Sequence, residues 1–210
     1  MNSFLWLLQV ACIFFIFFSS PVLAQEAHGF SRNAPITYDE IRHWAIHDCR
    51  ARSPKKIDTA IIDLLIEVEK ENSIPKNLRG MILAAACMES GYNPLAKGDY
   101  RSVRGKRRPK AIGIMQLWPW TSSKKYGDSM LDRTNPRAAA TFWINHVITR
   151  IPKVKKRCRF KSKKKIWIAA WVTAVRAPKP GGRCYETPKH LKILKRWYRK
   201  IRKQRLSYRT

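Results

Sequence analysis

From Leu78 to Met88 the chain reads LRGMILAAACM, and after Arg79 that run offers water no charged or strongly polar side chain. A helix at a protein surface confines its apolar residues to one stripe, so a helix apolar all round must be packed all round. Other helices therefore have to surround this one. The run ends on Glu89, in a chain with 14 acidic residues against 43 Lys and Arg. A carboxylate in that position is paired, capped or kept for chemistry, because burying a charge without a partner is costly. Loss of water disfavours its charged form, so Glu89 is expected to hold a proton it can hand to a leaving oxygen.

The surrounding sequence supplies the helices. Hydrophobic residues make up 45% of the 210, enough for the core of one ordinary domain with extensions. Tyr38 to Cys49 reads as a short helix, with Thr37 and Glu40 spaced as a capping box. Ile57, Ala60, Ile61, Leu64, Leu65 and Val68 recur at helical spacing, with Asp58, Asp63, Glu67 and Glu69 off that stripe. Pro75 suits the first turn of the next helix, which runs to Ser90 with Gly91 near its end. Further helices are predicted from Pro136, over 166–177, and over about 188–204, where Leu191, Leu194, Trp197, Tyr198 and Ile201 share a stripe against a basic face. The fold class is mainly α, with the basic segment 101–110 as a long loop or small hairpin inserted between helices.

Residues 1–24 carry no charged side chain, and the apolar FLWLLQVACIFFIFF runs into SSPVLA. This layout predicts a signal peptide cut after Ala24, with an uncleaved membrane anchor as the alternative. Four cysteines then remain, Cys49, Cys87, Cys158 and Cys184, an even number that suits an oxidising compartment. Three pairings exist, and Cys158 with Cys184 is favoured because it brackets one apolar segment. His43 and His47 stand four apart, but HWAIH lacks the glutamate of a zinc-protease motif, so no metal site is expected. The net charge of +29 gathers in RSVRGKRRPK, KVKKRCRFKSKKK and HLKILKRWYRKIRKQR. Such density calls for a polyanionic neighbour or a large solvated face.

Glycosidic bonds need a proton donor of the kind expected at Glu89. Met115-Gln116-Leu117-Trp118-Pro119-Trp120 follows as plausible cleft wall, with stacking surfaces for sugars and an amide to orient them. Glu89-Ser90, then Asn93-Pro94, then Gly113-Ile114-Met115-Gln116 with Pro119 and Thr121, resembles the catalytic domain of soluble-type lytic transglycosylases over about residues 57–177. The resemblance implies a lysozyme-like helical fold that cleaves the MurNAc–GlcNAc β-1,4 bond of peptidoglycan and leaves a 1,6-anhydro sugar, with no cofactor. It implies Glu89 as sole acid and base, with Ser90, Met115, Gln116, Trp118 and Trp171 against substrate. Asp99, Asp128 and Asp132 lie in no recognisable second-acid context.

The chain departs from the family's pattern at two places. Gly98 stands where a serine is usual, nine positions after the glutamate, although Ser102 is near. Ala170-Trp171-Val172-Thr173-Ala174 stands where the family has Ala-Tyr-Asn-Ala-Gly, so the tyrosine hydroxyl that would hold the glutamate is missing. The organisation read from the chain is a signal peptide (1–24), an extension with a short helix (25–56), a catalytic domain (57–177) and a basic C-terminal helix (178–210). The expected setting is periplasmic or cell-envelope, as a monomer on peptidoglycan, with anionic wall polymer or lipid as further partners for the basic segments. Wall remodelling, opening the wall for a secretion apparatus and attack on other cells all agree with this reading. The alternatives are a hydrolysing muramidase, a degenerate glycan-binding protein, and a cationic protein that binds nucleic acid or membrane. The leader and the lack of a matching fold signature argue against nucleic acid.

Overall fold

The computed structural model describes residues 34–49, 57–122, 129–175, 184 and 187–207. The expected leader, half of the extension after it (25–33 and 50–56), and PKPGG (178–182) lie outside those residues. Among the described residues, no helix is long and apolar enough to cross a membrane.

The helix around which the rest is built is α3, Met81–Ser90, with Met81 to Cys87 all buried. It starts later than the sequence suggests. Lys76–Leu78 forms a single 3-10 turn, and Gly80 then takes a left-handed φ of +81° with Ile41 and Leu194 packed against it. Glu69 accepts the freed N–H groups at the new helix start, from Gly80 and Ile82. The other end stops at Gly91, also left-handed, whose N–H returns to the last-turn carbonyls of Ala86 and Cys87.

Helices α1 (Tyr38–Asp48), α2 (Thr59–Glu71) and α7 (His190–Ser207) wrap α3. Thr37 and Glu40 form the capping box at the start of α1, and Asp58 caps α2. Helix α4 (Pro136–Ile148) starts at the Asn135 cap and packs on α2 and on α6 (Lys163–Val175). The short α5 (Ile151–Cys158) buries Val154 and leaves Lys153, Lys155, Lys156 and Arg157 in solvent.

Between α3 and α4 lie two small antiparallel ladders. Strand β1 (Lys97–Gly98) pairs with β4 (Ala111–Ile112), and β2 (Arg101–Val103) pairs with β3 (Lys106–Arg108). The basic segment is thus a hairpin. Its turn residues Arg104 and Gly105 both have positive φ, which suits the right-handed twist of the flanking strands. Arg101, Arg104, Lys106, Arg107 and Arg108 point to water.

Helix α7 docks through Leu191, Leu194, Trp197 and Ile201, all buried in the common core. Part of its basic face is also spent internally. Asp48 takes Arg196 and Lys200, each at 2.6 Å. Arg205 clamps Glu40 with two bonds and reaches the carbonyls of Ala34 and Pro35. Disulfides join Cys49 to Cys87 and Cys158 to Cys184, the latter being the pairing favoured from the sequence.

Candidate active site

Glu89 sits on the last turn of α3, where the buried helix meets solvent. About a quarter of its side chain is exposed (26%), so the acid is reachable rather than sealed away. Its Oε1 lies 2.8 Å from Nε2 of His190, whose side chain is 3% exposed. On the far side of that ring, Nδ1 accepts the indole N–H of Trp171 at 3.1 Å. Trp143 walls the pair, with ring centroids 6.2 Å from His190 and 6.1 Å from Trp171. Three helices therefore meet at the acid: α3 supplies the carboxylate, α7 the imidazole and α6 the indole.

Each partner has a local reason for its place. His190 opens α7 on the same stripe as Leu194, Trp197 and Ile201, so docking that stripe carries the ring inward. Trp171 lies in the middle of α6, among core residues. The Cys158–Cys184 disulfide fixes the stretch just ahead of α7 to the end of α5.

The other expected site residues fall into different places. Met115 is fully buried and Trp171 nearly so, both packed in the common core. Ser90 is buried as well, its hydroxyl donating back to the carbonyl of Ala86. Gln116 has φ +49° and donates its amide N–H groups to the carbonyls of Ala96 and Gly113, bracing the turn. Trp118 keeps 37% of its surface exposed, and its indole donates to Asp99. Asp132 closes a turn onto Thr134, while Asp128 lies outside the described residues.

The structure accounts for one departure from the family's pattern and compensates for another. A Cβ on Gly98 would lie 2.2 Å from Gln116 Oε1, so the Gln116 side chain fills the space that a serine there would need. Ser102 belongs to the exposed hairpin, opposite Arg107. In place of the missing tyrosine hydroxyl, Nε2 of His190 lies 2.8 Å from Glu89 Oε1, and the sequence places that histidine at the start of the basic C-terminal helix. The available signal was its phase: a histidine in register with an apolar stripe is carried into the core.

Fold and site together define a mainly helical, lysozyme-like domain. Residues 63–166 match the family model of the transglycosylase SLT domain, and the chain carries a domain of that family. At the level of the family, that makes it a transglycosylase-type enzyme with peptidoglycan glycan as substrate. Neither the curated proteins nor the solved structures contained a match. Glu89 and the GIMQ turn fall inside the matched stretch, whereas Trp171 and His190 fall beyond it.

Proposed function

We propose that the protein is an exported lytic transglycosylase that cleaves the MurNAc–GlcNAc β-1,4 bond with Glu89 as both acid and base. The acid form protonates the glycosidic oxygen, the C1–O4 bond breaks, and the glutamate is left as carboxylate. The carboxylate then removes the proton of the sugar's own 6-hydroxyl, whose oxygen bonds to C1 and closes the 1,6-anhydro ring. The proton returns to Glu89, so the cycle balances without water.

The observation that carries this reading is the 2.8 Å contact between His190 and a partly exposed Glu89. A glutamate kept only as a glycan-binding remnant has no need of a buried partner aimed at its oxygen. An N–H donor steadies the carboxylate formed midway, the work a tyrosine hydroxyl does in the family's pattern. The leader-like residues 1–24 and the two disulfides support an envelope setting. The exposed hairpin and the outer faces of α5 and α7 suit attachment to the anionic wall.

Mass spectrometry of the products from purified peptidoglycan tests this. Fragments ending in 1,6-anhydro sugars are expected. Reducing ends would make the protein a hydrolysing muramidase, and no fragments at all would leave only binding.

A further inference from the structure

An indole nitrogen donates and never accepts. Trp171 Nε1–H aimed at Nδ1 of His190, 3.1 Å away, therefore needs a bare lone pair on that nitrogen. A neutral imidazole then carries its one hydrogen on Nε2. That nitrogen faces Glu89 Oε1 at 2.8 Å, so Oε1 is the acceptor. An imidazolium would set N–H against N–H at Trp171.

From this we infer that Trp171 locks His190 in the Nε2–H tautomer, and that His190 is a positioning residue which holds Oε1 of Glu89 through both protonation states of the acid. The inference rests on the reading of Glu89 as acid and base. In the acid form, the carbonyl oxygen is the better acceptor for the imidazole N–H, and Oε1 takes that part. In the carboxylate form, the same N–H still holds Oε1, so the acid keeps one orientation through the cycle. A phenol hydroxyl in this place can rotate, and can both donate and accept. The imidazole between Trp171 and Glu89 can only donate toward the acid. The lock also keeps the donor uncharged, since a full positive charge beside a carboxylate opposes the return of its proton. Both locking residues lie outside the stretch that matches the family model.

Two measurements on the full chain test this. Proton–nitrogen correlation spectra of protein carrying isotope-labelled histidine read the ring directly, with His190 assigned as the signal lost in His190→Gln. Protonated Nε2 and bare Nδ1 are expected at neutral pH, and Trp171→Phe should bring in an Nδ1–H signal. An Nδ1–H ring or an imidazolium in the unaltered protein would overturn the lock. The second measurement compares two amides, because glutamine places a donor near the Nε2 position whereas asparagine reaches only the Nδ1 position. His190→Gln should keep kcat within about 10-fold, and His190→Asn should lose about 10- to 100-fold in kcat with KM unchanged. Equal losses in two folded variants would reduce His190 to a space-filling role. The spectra report whether or not glycan is cut. An inactive protein with the Nε2–H ring thus sinks the functional reading, and an active one with another ring state sinks this inference.

Discussion

Glu69 holds the start of α3 at Ile82: its Oε1 accepts the backbone N–H of Ile82 at 3.0 Å, while Oε2 takes that of Gly80 at 2.6 Å. One buried acid thus anchors the helix that delivers another. Burial pushes the Glu69 carboxyl from 4.5 up to about 7, against the pull of the backbone N–H groups toward the charged form. Between those values the folded protein keeps a proton that the unfolded chain has released. This contribution to stability is whole below pH 4.5 and is lost as pH rises to about 7. His146 works in the opposite sense, because burial and Arg150 hold its pKa below 6.5. Subtracting Glu69→Gln from the unaltered protein removes that common part. The difference in melting temperature should shrink from pH 4.5 to about 7 and then level off, and a widening difference would contradict this. Glu69→Ala should cost about 2–4 kcal/mol below pH 4.5 and less as pH rises to about 7.

Glu89→Gln keeps shape and volume but has no proton to lend. Product release should fall by about 100- to 10,000-fold, with the circular dichroism spectrum and glycan binding retained. Unchanged release would remove Glu89 from the chemistry.

Gly98→Ser restores the residue usual in the family and should nonetheless do harm. The new Cβ meets Gln116 Oε1 at 2.2 Å, and two hydrogen bonds pin that side chain. A loss of about 1–3 kcal/mol is expected from such overpacking. Adding Gln116→Ala should restore much of it, a coupling that denaturant melts of the single and double variants will read.

Gly113→Ala should be worse. Gly113 has φ +81°, and a Cβ there would lie 1.8 Å from the carbonyl oxygen of Arg133. Backbone on both sides has to move, so a loss above about 2 kcal/mol is expected, with the GIMQ turn displaced.

Serine at both Cys158 and Cys184 frees the stretch that leads into α7. Closing a loop of this size stabilises by about 3 kcal/mol, so unfolding should shift by a similar amount. Activity should fall further than that loss explains, because His190 loses part of its anchorage. Assays well below the melting temperature, with and without a thiol reductant, separate the two effects.

Much of the fold is legible in the sequence because it follows from periodicity and local chemistry. The Thr37–Glu40 box, the stripe of α7 and the all-apolar α3 each depend on neighbours a few residues away. The site is legible as far as Glu89 and the GIMQ turn, whose residues recur in a set order. His190 is hidden by distance, since 101 residues separate it from Glu89. It is also masked by company, because lysines on both sides make the segment read as a solvated face. Arg205 is the parallel case at the other end of the helix, a cation drawn inside by Glu40. The burial of Met115 escapes the sequence for another reason: an apolar residue beside a glutamine looks the same whether it faces a cleft or a core.

The separation of Glu89 and His190 along the chain also imposes a timetable. A ribosome makes Glu89 first and adds His190 only after three further helices, α4 to α6. Until α7 has been made and has settled onto its neighbours, Glu89 stands without its contact to His190. On the function proposed above, docking of α7 is therefore the first moment at which the acid is ready to work.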